Sequence, residues 1–222
     1  MTDVALLFAL SCVGGAPSAA AASAPSHKLH LVFQPGGKLW LDGTSTLHSY
    51  SSSATMMAGF ADLRLEPAPN DNVNSTLSIV AREARLDSFV LTVPVVGLKS
   101  DKGALDKKLW KALKAMEAPV IRLRLTSRTP IVDSRTAGAY QFQARGTLTA
   151  AGVTREIALA AVGRVTAEGL RVTGSEDLLM SDFGITPPRM LMGTLVVRDK
   201  IAVHFDVLLG LAAAPSDEEA GK

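Results

Sequence analysis

The chain has 222 residues, of which 47% are hydrophobic and 20% charged, a composition that excludes an intrinsically disordered protein and favours one globular domain. Its single cysteine excludes a disulfide framework and a cysteine-rich zinc site. The net charge is +2, and the basic residues are scattered without interleaved aromatics, so a nucleic acid is not an expected partner.

The N-terminal segment has the features of a secretory signal peptide. An apolar stretch at residues 4–13 is followed by small residues up to Ala24, the order of an h-region and a cleavage site. It is shorter than the roughly 20 apolar residues of a membrane-spanning helix. We therefore expect residues 1–24 to be removed and the protein to be periplasmic or secreted, although residues 1–3 lack a basic group. Acylation of Cys12 is disfavoured because the residues before it do not match the small-residue pattern of lipoproteins.

The rest of the chain has a period of two. In residues 140–149, Tyr140, Phe142 and Leu148 alternate with polar residues, as in a strand with one buried face. Similar patterns predict strands at residues 29–33, 38–48, 55–65, 77–81, 89–93, 121–125, 154–165, 170–179 and 201–209. Many strands separated by turn sequences predict an all-β antiparallel barrel or sandwich over residues 25–210, followed by a flexible tail at residues 211–222.

One segment breaks this pattern and predicts an amphipathic helix at about residues 103–116. Its apolar residues, at spacings of three and four, are Leu105, Leu109, Ala112, Leu113 and Met116, and the lysines facing away are Lys107, Lys108, Lys111 and Lys114. Such an inserted helix either lies across the mouth of a barrel or covers part of its core.

Small residues at inward positions raise the question of whether the interior is solid. Gly43, Gly59, Ala144 and Gly146 would leave space in a barrel of about eight strands, which is just wide enough for one small ligand. Glycine in a strand equally marks a bulge or a bend. A solid core and a cavity both remain open on this feature.

The sequence offers few candidates for catalysis. Residues 42–48 contain an acid, a serine and a histidine, but on one continuous strand Asp42 and His48 would share a face while Ser45 points to the other. A serine hydrolase using Ser45 and His48 is therefore disfavoured. The histidines lack the spacing of metal ligands, and no phosphate-binding loop is present, so we predict no catalytic residue, metal site or nucleotide cofactor.

The remaining motifs resemble the YceI-like polyisoprenoid-binding family. The similar segments, in chain order, are residues 43–48 (GTSTLH), 93–100 (VPVVGLKS), 105–106 (LD), 112–115 (ALKA), 119–121 (PVI), 146–157 (GTLTAAGVTREI), 181–188 (SDFGITPP) and 192–193 (MG). They extend over nearly the whole of the chain after the expected cleavage site. Tyr50 departs from the pattern, because relatives with the same GTST segment often carry a tryptophan there.

The resemblance implies an extended, lipocalin-like antiparallel barrel with one inserted helix, exported to the periplasm. It also implies an apolar channel that holds the tail of an isoprenoid quinone or a related amphiphile, in a carrier or storage role without enzymatic activity. The ligand is the expected partner, transient contact with a membrane fits such a role, and dimerisation is left open.

An isoprenoid tail offers only apolar contacts, so we expect large apolar side chains to bind it. The expected lining residues are Phe33, Phe60, Leu91, Leu109, Leu113, Met116, Leu123, Phe142, Phe183, Met190 and Met192, with Trp110 closing the mouth beside the helix. The main alternative is a structural or stress-related module with a solid core and no ligand. A transmembrane barrel is disfavoured because Arg122, Arg124 and Arg145 lie opposite the apolar faces.

Overall fold

The computed structural model describes residues 27–65, 72–131, 138–190 and 195–212. The expected signal peptide and most of the expected tail lie outside these residues. The strands are β1 (His27–Phe33), β2 (Lys38–Ser45), β3 (Ser49–Ala54), β4 (Ala58–Leu65), β5 (Arg85–Pro94), β6 (Leu98–Lys99), β7 (Val120–Ile131), β8 (Ala139–Ala150), β9 (Val153–Thr166), β10 (Gly169–Leu179), β11 (Arg189–Met190) and β12 (Leu195–Leu211). The helices are α1 (Val73–Glu83) and α2 (Gly103–Ala112), with short 3₁₀ turns at Val95–Gly97 and Met180–Phe183.

Eight antiparallel strands close into a barrel in the order β1-β4-β5-β7-β8-β9-β10-β12. Closure comes from β1, which pairs with β12 where Phe33 lies opposite Leu209. Further along β12, β2 takes the place of β1 and is followed by β3 and β6, which extends the wall on that side. The predicted all-β antiparallel barrel is confirmed. No helix within the described ranges is long and apolar enough to cross a membrane.

The alternation in β7 changes phase at a β-bulge. Leu125 pairs with Gly146 and Ser127 pairs with Arg145, so Thr126 is an extra residue without a partner across the ladder. Before the bulge, odd-numbered residues such as Leu123 point inwards. After it, Arg128 lies opposite the buried Ala144 and therefore faces the interior.

The prediction of a strand at residues 77–81 is wrong, because these residues belong to α1. The side chain of Asn72 caps the helix by accepting from the backbone N–H of Ser75 at 3.1 Å. The buried residues of α1 are Thr76, Leu77, Val80 and Ala81, which is the spacing of one helical face. The short alternation of apolar residues is compatible with both periods, and packing against the barrel selects the helix. The described residues thus contain two α-helices where one was expected.

Two predicted boundaries also need correction. The helix α2 ends at Ala112 rather than 116 because Lys114 adopts a left-handed conformation with φ of 54°. The N–H of Ala115 then donates to the carbonyl of Trp110 at 2.9 Å, as in a Schellman motif. The predicted strand at residues 38–48 ends at Ser45, where the chain turns into β3.

Candidate functional site

The barrel encloses an elongated cavity of about 310 Å³. Its lining positions on β12 alternate from Ile201 to Leu209, a distance of about 26 Å along the strand at roughly 3.3 Å per residue. Most of the lining is aliphatic or aromatic, and every barrel strand contributes to it. The interior is therefore an apolar void with the long shape of the barrel, rather than a solid core.

One end of the cavity is closed by α1. Val80 and Ala81 line the cavity from this helix and are 0% and 4% exposed. The neighbouring lining residues Leu63, Leu170 and Leu209 are buried as well. Solvent therefore has little access at this end, and α1 forms the floor.

Arg128 holds α1 in place from inside the barrel. Its guanidinium donates to the carbonyl oxygens of Ala81 and Ala84 at 2.8 Å each and to that of Val80 at 3.2 Å. A cation at these carbonyls is favourable because they lie at the negative end of the helix dipole. The same guanidinium lies 5.3 Å from the centre of the Phe142 ring.

The guanidinium of Arg128 lies in a poorly solvated environment. Burial lowers the pKa of Arg128 because the charged form loses solvation, although an arginine stays protonated. Its buried Nε has no hydrogen-bond partner within the described ranges. The charge is therefore compensated by the helix carbonyls and by the aromatic face.

The other end of the cavity opens to solvent beside α2. The exposed lining residues are found here: His48, Ser51, Lys108 and Leu179. On α2 and at its C-cap, Leu105, Leu109 and Leu113 face the cavity at spacings of four, and Lys108, which was expected to face away, also borders the opening. The helix thus lies across the open end with its apolar face inwards, which selects the first of the two arrangements that its sequence allowed.

Two polar contacts fix α2 to the neighbouring strand. The buried carboxylate of Asp106 accepts from the backbone N–H and from the hydroxyl of Ser100, both at 2.7 Å. These hydrogen bonds hold the pKa of Asp106 below its usual range because they stabilise the charged form. The indole Nε1 of Trp110 donates to the carbonyl of Leu98 at 2.8 Å.

Near the mouth, the hydroxyl of Ser45 is hydrogen-bonded to the backbone of His48. The hydroxyl of Ser45 donates to the backbone carbonyl of His48 at 2.8 Å and accepts from its N–H at 3.2 Å, so it closes the turn between β2 and β3. The expectation that residues 42–48 lie on one strand is wrong, because the chain turns between Ser45 and His48.

Two other polar groups line the mouth. Burial raises the pKa of Tyr50, and burial together with Asp177 raises the pKa of Glu176.

The predicted lining residues divide into three groups. Those that line the cavity are Leu91, Leu109, Leu113, Leu123, Phe142 and Phe183. Four others lie elsewhere: Met116 is 92% exposed, Phe33 packs against Phe89 outside the cavity lining, Phe60 lies next to His30, and Trp110, within α2, packs against the buried cluster that contains Leu98. Of the remaining two, Met190 lies in β11 without a described side chain, and Met192 lies outside the described residues.

These four displacements have physical causes. Met116 follows the end of α2, so the helical spacing that would have turned it inwards no longer applies. Trp110 is turned aside by its hydrogen bond to Leu98. Phe60 pairs with Val32 on a face opposite the buried Ala61, and the ring of Phe33 contacts Gly59 at the wall.

Three of the four small inward residues do not create space. A Cβ at Gly59 or Gly146 would meet the backbone carbonyl of Val90 or Arg124, and at Gly43 it would meet the ring of Tyr50. These glycines allow close approach of a neighbouring strand or ring. Among the four, Ala144 lines the cavity, and Gly163, which the sequence did not single out, lines it as well.

Comparison with known proteins agrees with this geometry. A family model for the YceI-like domain matches residues 49–209. The chain belongs to the YceI-like family. This YceI-like chain has no match among the curated proteins searched.

Solved structures share the fold of this YceI-like chain at low sequence identity. BcnA of Burkholderia cenocepacia is 12% identical, with a TM-score of 0.58 over 80% of this chain and 96% of its own. A polyisoprenoid binding domain from Saccharophagus degradans is 10% identical, with a TM-score of 0.56 over 84% of this chain and 100% of its own. The YceI protein of Campylobacter jejuni is 14% identical, with a TM-score of 0.52 over 73% and 85%.

Proposed function

We propose that this YceI-like protein binds an isoprenoid lipid, such as an isoprenoid quinone, with its tail inside the barrel. The observation that carries the proposal is the long apolar cavity with a floor at α1 and an opening beside α2. A tail without polar groups would bury its surface there at about 25 cal/mol per Å², less the cost of ordering the chain. The void also argues against the alternative of a structural module with a solid core.

The orientation of the ligand follows from the distribution of polar groups. The deep part of the cavity is lined by aliphatic residues such as Leu63, Leu159 and Leu170. The mouth carries Ser45, Tyr50 and Glu176, which can contact a polar head group. The tail would therefore enter first and the head group would remain at the mouth beside α2.

The proposal includes export and a role as a carrier or store. It rests on the signal-like segment at residues 1–24 and on the insolubility of a free isoprenoid tail in water. Transient contact with a membrane belongs to the same role, because a membrane is where such a ligand is found. Fractionation of cells that produce the full chain with a C-terminal tag would place the protein in the envelope or medium, while retention in the cytoplasm would contradict export.

Ligand binding can be tested with the purified protein. Lipids extracted from it should include a prenyl lipid identified by mass spectrometry, and an added long-tailed isoprenoid quinone should quench tryptophan fluorescence with saturation. A quinone head group without the tail serves as the control and should not saturate, because the apolar tail supplies the affinity. Absence of both a co-purifying prenyl lipid and saturable quenching would reject the proposal.

A further inference from the structure

The helix at the mouth presents a row of lysines away from the cavity. Lys107 and Lys111 lie four residues apart on α2, opposite the face with Leu105 and Leu109, and Lys114 follows the end of the helix; all three are exposed. Residues 99–117 contain six lysines against three acidic residues. The outer surface of α2 and its flanking residues is therefore positively charged.

Among the described residues, no acidic side chain forms an ion pair with this row. Asp106 is buried and accepts two hydrogen bonds from Ser100. Within the described ranges, Lys107, Lys111 and Lys114 take part in no ion pair. On β10, Asp177 lies next to the mouth residue Glu176 and is paired with Lys200 at 2.7 Å.

Exposed apolar side chains lie at the same end of the barrel. Met116, four residues after the end of α2, is 92% exposed, and Leu47, in the turn between β2 and β3, is 67% exposed. Leu179 is 43% exposed and lines the mouth itself. Large apolar side chains beside a cationic helix face are the combination that binds the interface of an anionic bilayer.

We infer that the lysine face of α2, together with Met116 and Leu47 at the same end of the barrel, docks on an anionic phospholipid surface and so brings the cavity mouth to the bilayer. Charge complementarity favours a bilayer with acidic head groups over a neutral one. The inference rests on the proposed function, because docking at this end matters when a lipid enters or leaves the cavity. The inference adds to the proposed function the surface of the protein that contacts the membrane and the charge of that membrane.

The test is sedimentation of the protein with phosphatidylcholine vesicles, with and without phosphatidylglycerol. We expect binding to the vesicles that contain phosphatidylglycerol, and weaker binding at high salt because salt screens exposed charges. The double variant Lys107→Gln with Lys111→Gln should weaken this binding roughly 30-fold at low salt. The matched control is the double variant Lys28→Gln with Arg85→Gln, which removes two positive charges from the opposite end of the barrel. It should have little effect on vesicle binding.

Three outcomes would overturn the inference. They are failure of the protein to bind phosphatidylglycerol vesicles, an equal loss of binding in the two double variants, and a requirement for the α2 lysines in self-association measured by analytical ultracentrifugation. Quinone quenching without vesicles separates this test from that of the proposed function, because neither Lys107 nor Lys111 lines the cavity. Docking with no quinone binding would reject the proposed function alone, and quinone binding with no docking would reject the docking surface alone.

Discussion

The guanidinium of Arg128 donates to the carbonyl oxygen of Ala84 over 2.8 Å, so that a barrel strand holds the C-terminus of the helix closing the barrel. The contact crosses the interior between segments that are far apart in sequence. The contact forms because the β-bulge at Thr126 adds one residue to β7. This addition exchanges the inward and outward faces of the strand after the bulge. The floor of the cavity is therefore held by this cation as well as by the packing of the apolar face of α1.

Replacing Arg128 with methionine should loosen this floor. The variant loses three charge-assisted hydrogen bonds to α1, and we expect the free energy of unfolding to fall by about 2 kcal/mol. Amide hydrogen exchange in α1 should speed up more than in the barrel strands. The control is Arg124→Met, at an exposed position on the same strand, with a change within about 0.5 kcal/mol. Equal losses for the two variants would contradict the role given to Arg128.

Filling the cavity should block the ligand without unfolding the protein. Ala161 lines the cavity and is 3% exposed, while Ala160 lies on the outer face of the same strand. We expect Ala161→Phe to weaken quinone binding at least tenfold, about 1.4 kcal/mol. The control Ala160→Phe should bind normally.

The stability of the same pair of variants distinguishes an empty cavity from a filled core. A ring that enters existing space should change the free energy of unfolding by less than about 1 kcal/mol, whereas overpacking a filled core costs about 1–3 kcal/mol. Chemical denaturation measures the difference. A large loss in Ala161→Phe alone would show that the interior is packed.

The attachment of α2 should depend on pH through Asp106. Because the folded state lowers the pKa of Asp106 below its ordinary value of 3.8, its contribution to stability is complete above that value and is lost as the pH falls through the lower folded pKa. The variant Asp106→Asn should therefore melt at a lower temperature than the wild type at neutral pH. The difference in melting temperature between the variant and the wild type should decrease as the pH falls below 3.8. A gap that stays constant with pH would mean that the carboxylate charge is not responsible.

The opposite dependence is expected for Glu176. Burial and the neighbouring Asp177 raise the pKa of Glu176, so ionisation costs stability as the pH rises above the ordinary value of 4.5. Glu176→Gln should melt at a higher temperature than the wild type at neutral pH, with no difference at more acidic pH. Glu156→Gln, at an exposed site on β9, is the matched control and should melt like the wild type throughout. A destabilised Glu176→Gln would show that the carboxylate has a favourable partner.

Much of the barrel follows from local patterns. The alternation around Phe142 and around Val203 identifies β8 and β12, because a strand with one buried face must repeat every two residues. The helix α2 follows from the spacing of Leu105, Leu109 and Leu113. By contrast, α1 was missed because a few alternating apolar residues also fit a helix, and only contact with the barrel end chooses between the two periods.

The candidate site follows from the sequence to a smaller extent. Leu91, Leu123 and Phe142 were expected in the lining from their strand faces, and they lie there. Arg128 was missed, since alternation from Leu123 and Leu125 would turn it outwards. Met116 was misplaced because the helix ends before it. Bulges and helix ends shift every later side chain, and neither leaves a clear mark in residue type.

The amino-acid sequence alone predicted many antiparallel strands, in a barrel or a sandwich, with one amphipathic helix, and its resemblance to the YceI-like family implied the barrel. The strands and the helix follow from periodicity, which can be read along the chain. Tertiary structure alone decided that the barrel is hollow, that α1 is its floor and that α2 lies at its mouth. These depend on register and closure between distant strands, because a one-residue shift exchanges the inner and outer faces.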